Sequence, residues 1–222
     1  MWLEAGAIAS ASSLADVLPL AITDRDGEPD PVAAAVAVLS RTGRQPMVHL
    51  ARRGAGKADD VAAAGLTTLL LMEGVPDTVT LVREFASRLP AARLGVVVNP
   101  FVPGEMERLH VKADAGASFY VAQAGFEDEP YEDLLRRAPG IPGYASVLCV
   151  GPKLARALEK GDIPGVHIPS ALASHIESEG GGEAPIRRLA ARIRALTAMG
   201  FAGVHIAGIS RPATARRLLE LL

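Results

Sequence analysis

Residues 94–123 read LGVVVNPFVPGEMERLHVKADAGASFYVAQ. The stretch opens on an apolar run, 94–98, passes Asn99-Pro100, and continues as an amphipathic segment from Pro103 to Ala115. It stops at Gly116 and returns to a second apolar run, 119–122, that ends on Gln123. Short, nearly continuous apolar runs are the pattern of parallel strands buried on both faces. Pro in the first turn and Gly just past the last one bracket a helix between them. The stretch therefore reads as one β-α-β unit.

The same alternation extends outward in both directions. Strand-like runs are expected at 3–8, 19–23, 46–50, 67–72, 145–150 and 204–209, and helical segments at 31–41, 59–64, 78–89, 152–160, 185–199 and 212–222. Glycines at 43, 65, 161 and 200 close helical segments as Gly116 does, so the 22 Gly and 16 Pro act as punctuation rather than as a linker. Dividing 222 residues by eight units gives about 28 per unit, near the ~250-residue total usual for a (β/α)8 barrel. The expected fold is thus an α/β (β/α)8 TIM barrel occupying 1–222 as a single domain. A doubly wound open sheet competes, but Arg53-Gly54-Ala55-Gly56 lacks the third glycine and the following acidic residue of a dinucleotide fingerprint.

Composition excludes several functions. With 23 Lys+Arg against 25 Asp+Glu there is no broad cationic face for nucleic acid, and the 4% aromatic content argues against base stacking. No run reaches the ~18 apolar residues of a membrane span, and the N-terminus lacks a basic segment before its small-residue stretch. One cysteine, Cys149, suits a reducing, cytoplasmic setting and reads as a small buried hydrophobe. His49, His110, His167, His175 and His205 are scattered without metal-ligand spacing, so no metal site is expected. Neither G-x-S-x-G nor a P-loop is present.

Chemistry in a barrel sits where strands end. Following the strands gives Glu4, Asp24 and Asp26, His49 with Arg52 and Arg53, Glu73, Asn99, Gln123, Lys153, and Ser210 with Arg211. Gln123 follows Phe119-Tyr120-Val121-Ala122 among small neighbours, where an amide is costly unless hydrogen-bonded. Glu4 is a lone carboxylate in the first apolar run; burial there would raise its pKa and suit it to proton donation. His49 ends the third strand as a ligand contact or a core histidine.

The segment from Leu109 to Gln123, LHVKADAGASFYVAQ, resembles the LKxKxDAGAxxxxTQ stretch of methylenetetrahydrofolate reductases. Val48-His49-Leu50, Val96-Val97-Val98-Asn99-Pro100, Val166-His167-Ile168-Pro169-Ser170 and Gly203 to Arg211 are similar to further blocks of that family, in its order. The resemblance implies a flavin (FAD) barrel in which NAD(P)H reduces the flavin and the flavin reduces a 5,10-methylene-tetrahydropterin, folate or an analogue, to the 5-methyl form. It implies Glu4 as general acid, Gln123 and Arg211 as substrate contacts, and His49, Glu105, Lys112 and Asn99 as cofactor contacts. Departures fall on the flavin side: Glu73-Gly74-Val75 stands where the family has Arg-Gly-Asp, Phe101 replaces an acid, and Ala171 a tryptophan. These losses leave two alternatives open: a non-catalytic pterin-binding or partner subunit, and a pterin-dependent methyltransferase component. The Leu-rich end, 216–222, packs on the barrel wall or on a second subunit of a homo-oligomer.

Overall fold

A computed structural model describes residues 1–5, 14, 16–23, 30–51, 56–72, 77–163 and 165–222. Eight parallel strands close on themselves in chain order: β1 Trp2–Ala5, β2 Leu20–Ile22, β3 Met47–Leu50, β4 Thr68–Leu71, β5 Arg93–Val98, β6 Phe119–Ala122, β7 Gly143–Leu148 and β8 Gly203–Ala207. The closing pair is β1 with β8, where Trp2 faces His205 and Leu3 faces Ile206. The expected (β/α)8 barrel is the observed fold, and the open-sheet alternative is excluded by that closure.

Nine helices among the described residues surround the strands: α1 Pro31–Thr42, α2 Ala58–Ala63, α3 Thr78–Arg88, α4 Glu105–Asp114, α5 Glu129–Arg137, α6 Pro152–Glu159, α7 Ser170–Glu179, α8 Ala184–Met199 and α9 Pro212–Leu221. Local chemistry fixes their ends. Asp30 caps α1 by accepting from the Val32 and Ala33 amides, Pro31 supplies the first turn, and Gly43 closes it in the left-handed region at φ 67°. Asp77 caps α3 in the same way through Val79 and Thr80.

Strand alternation divides the interior in two. Leu3, Val48, Leu69, Val96 and Ile206 point outward into the layer shared with the helices. Ala21, Met47, Leu70, Phe119 and Val121 point inward and pack with Trp2, Met72, Val97 and Tyr144 inside the barrel. The helix pair α6 and α7 adds a smaller cluster, in which Val150, Leu158, Val166 and Ile176 meet beside the end of β7.

Candidate functional site

The inward residues stack in layers. At the amino-terminal end Trp2, Phe119 and Tyr144 form an aromatic floor, with ring centroids 4.6 to 6.1 Å apart. Arg93 covers the Phe119 ring at 5.4 Å. Gly95 faces that ring with no room for a Cβ, so glycine there is what lets Phe119 lie across the lumen.

Polar side chains begin above the floor. On β8, His205 is buried, its ring centroid 5.1 Å from that of His49 on β3, and its Nδ1 3.5 Å from Ser146 Oγ on β7. Its Nε2 is buried without a hydrogen-bond partner. Burial pushes the His205 imidazole below its ordinary value, and the charge of Glu4 works in the opposite direction, so near pH 7 the ring is neutral. Glu4 enters from β1, where it pairs with Ala21, and is half-buried rather than sealed in an apolar strand.

The second polar group lies at the carboxyl-terminal mouth, on β5 and β6. A Cβ built on Gly165, whose φ of 75° favours glycine, would stand 3.6 Å from Gln123 Nε2 and 3.8 Å from Asn99 Nδ2. The two amides therefore lie side by side beneath one stretch of backbone. Asn99 Oδ1 accepts from the Phe101 amide at 3.1 Å, and the Gln123 carbonyl accepts from the Tyr131 hydroxyl at 2.6 Å. Burial pushes the Tyr131 phenol up to about 12, so it stays a donor throughout the physiological range. Next to them is a cavity of about 400 Å³ lined by Met72, Val97, Asn99, Glu105, Arg108 and Gln123.

Of the expected site residues, Glu4, His49, Asn99, Gln123 and Glu105 reach the barrel interior or line the cavity at its mouth. Arg211 sits at the mouth as the residue before α9, but its side chain is exposed. Lys112 and Glu105 are buried and committed to the protein itself. Lys112 Nζ donates to the Val97 carbonyl at 2.9 Å; Glu105 accepts from the Asn99 amide at 3.4 Å and from Arg108 at 2.9 Å. Asp24, Asp26, Arg52, Arg53 and the Glu73-Gly74-Val75 block lie outside the described residues. Cys149 is half-buried, with burial pushing its thiol up, in keeping with an inert side chain.

Sequence reasoning passed over His205 and Ser146. The signal was present as strand alternation: Gly203, His205 and Ala207 face one way along β8, so a histidine between two small residues faces the lumen. Among the described residues no group of three His, Cys, Asp or Glu side chains is placed to hold a metal ion. No helix among them is long and apolar enough to cross a membrane.

No family model matches the chain, and no curated protein matches it. Solved structures do. One is an uncharacterized protein from Clostridium thermocellum that binds two copies of 5-methyl-5,6,7,8-tetrahydrofolic acid; it is 14% identical, with a TM-score of 0.75 over 100% of this chain and 93% of that one. Another is 2,3-dimethylmalate lyase, a PEP mutase/isocitrate lyase superfamily member, 13% identical, with a TM-score of 0.58 over 98% and 78%. A third is orotidine 5'-phosphate decarboxylase from Pyrococcus horikoshii OT3, 14% identical, with a TM-score of 0.58 over 100% and 98%. At these identities the likeness establishes the barrel. It also corrects the expectation of membership in the methylenetetrahydrofolate reductase family: the neighbours are a folate-binding barrel, lyases, mutases and a decarboxylase. The motifs behind that expectation are short blocks, and these neighbours lend no support to the reductase activity drawn from them.

Proposed function

We propose that this barrel binds a reduced one-carbon pterin of the 5-methyltetrahydrofolate class at its carboxyl-terminal mouth. The observation that carries the reading is the pair of amides, Asn99 and Gln123, set side by side under Gly165 at the wall of a cavity of about 400 Å³. A pterin ring presents donors and acceptors along one edge. An amide, which both donates and accepts, is the neutral side chain that matches such an edge. The cavity volume lies within the range of small-molecule sites. The Clostridium thermocellum barrel, whose length this chain nearly spans, supports the ligand class.

Glu4 belongs to this reading as the proton donor. Its carboxyl enters the lumen from β1, and its charge is felt by His205. A carboxyl group there can protonate a ring nitrogen of a bound tetrahydropterin, which weakens the bond from that nitrogen to its one-carbon unit. A chain that holds the pterin without turning it over is the second reading, favoured by Glu105 and Lys112 being spent on the protein's own groups.

Calorimetric titration with 5-methyltetrahydrofolate tests the proposal. Gln123→Ala and Asn99→Ala should each weaken binding by about tenfold, the worth of one to two hydrogen bonds; Gln123→Ala should leave the melting temperature in place, whereas Asn99→Ala should also lower it slightly by removing the acceptor of the Phe101 amide. Glu4→Gln should leave binding in place while abolishing any turnover. Failure of the wild-type protein to bind a reduced pterin would overturn the assignment.

A further inference from the structure

Beyond the carboxyl-terminal end of β7 lies another cavity, of about 330 Å³, that shares no lining residue with the one at the mouth. Val147, Leu148 and Val150 line it from the strand side, Leu172 and Ile176 from α7, and Leu189 from α8. Leu148 and Leu172 remain partly exposed there, as does Phe126 on the loop after β6. Ala191 and Ala195, on the α8 side, are small and exposed, so the cavity opens to the surface along that helix. A space with apolar walls and an open side is the form of a small-molecule site, whose few polar groups set the ligand's orientation.

Here the polar groups are two guanidinium heads. Arg188 donates through Nη2 to the Val150 carbonyl at 3.0 Å and pairs through Nη1 with Glu179. Burial pushes its guanidinium below the ordinary value. Arg192 pairs through Nη1 with Asp128, and its guanidinium carbon stands 5.4 Å from the centre of the Tyr131 ring, where its charge works against the burial that raises that phenol. Its Nε and Nη2 are buried without a hydrogen-bond partner. These two nitrogens form one edge of the guanidinium, the edge that presents parallel N–H bonds to both oxygens of a carboxylate. Asp128 holds a different nitrogen and is 57% exposed, against 23% for the Arg192 side chain. Water therefore screens the acid more than the cation, and the double-donor edge is left over on a cavity wall. A buried donor without an acceptor is costly, which is the opening for a ligand that supplies one.

We propose that this cavity is a binding site for a small amphipathic carboxylate, with the apolar body between β7, α7 and α8 and both carboxylate oxygens on Nε and Nη2 of Arg192. The site stands apart from the pterin reading, because it uses none of the residues that line the mouth.

Calorimetry with three probes tests it: octanoate, which has both chain and carboxylate; 1-octanol, which has the chain alone; and acetate, which has the carboxylate alone. Wild-type protein should bind octanoate at least about tenfold more tightly than either of the others, since charge-assisted bidentate bonds are among the strong ones. Arg192→Met keeps an apolar stem and should erase the preference for octanoate, with 1-octanol within about twofold of wild type. Ala195→Trp should fill the open side and weaken octanoate and 1-octanol alike by at least about tenfold. Ala195 is exposed, so this second variant keeps its fold and tests the cavity even where Arg192→Met does not. Octanoate bound no more tightly than 1-octanol by the wild type, a preference that survives Arg192→Met, or octanoate binding untouched by Ala195→Trp overturns the proposal. None of these outcomes bears on the pterin reading, which titration of the mouth decides by itself.

Discussion

His49 on β3 and His205 on β8 meet inside the barrel with ring centroids 5.1 Å apart and planes tilted by 43°. They come from opposite ends of the chain, and only closure of β1 onto β8 brings them together. The arc of strands between them carries Glu4, so among the described residues two imidazoles and a carboxyl, with the Ser146 hydroxyl beside His205, lie over the aromatic floor.

That arrangement predicts an acid-sensitive stability. The folded-state pKa of His205 is below the ordinary 6.5, so the unfolded chain takes up a proton first as pH falls. Stability from this group is complete above about pH 6.5 and is lost as pH drops through the lower folded value, at up to about 1.4 kcal/mol per pH unit. Urea unfolding of the wild type should show this loss between pH 7 and 5, and His205→Leu should flatten it. At pH 7 the variant should be no less stable, because the change removes a buried nitrogen that has no partner. An identical pH profile in both proteins would place the titrating group elsewhere.

The sign of the Glu4 effect can be read separately. Its charge raises the His205 pKa against the stronger effect of burial, so Glu4→Gln should move the His205 imidazole further down. A nitrogen-detected NMR titration of the histidine rings would show the shift, and an unmoved His205 resonance would mean that the carboxylate is screened.

Gly95→Ala should damage the fold without touching the mouth. The new Cβ would enter the space of the Phe119 ring, and overpacking of this kind costs roughly 1–3 kcal/mol. Adding Phe119→Leu should recover part of the loss, which chemical unfolding of the single and double variants would measure.

Tyr131 links the α5 wall to the site through the 2.6 Å bond from its hydroxyl to the Gln123 carbonyl. Tyr131→Phe keeps the ring contacts and should cost about 0.5–1.5 kcal/mol of stability. Pterin binding should weaken as well, because the end of β6 is no longer held. Unchanged affinity would show that Gln123 is positioned by its strand alone.

The barrel was legible because buried parallel strands and capped helices write their period into the sequence, as residues 94–123 do. Helices α5 and α7 were not. In α5 the buried residues are Tyr131 and Leu134 amid charges, and in α7 they are Ala173 and Ile176 among small polar residues, too thin a stripe to stand out. At the candidate site, Gln123 and Asn99 stand out in the sequence because each ends an apolar run. His205 was missed because its meaning depends on which way β8 faces, and its partner His49 lies far away in the chain. The family resemblance misled for a related reason: short motifs at strand ends record barrel geometry as much as chemistry.

The layer of Trp2, Phe119 and Tyr144 makes the barrel blind-ended. A pterin held at the mouth as proposed would leave through the opening by which it entered. An inhibitor need only cork that opening. Engineering can also treat the two ends as independent, tuning thermal endurance at the aromatic base and selectivity at the rim.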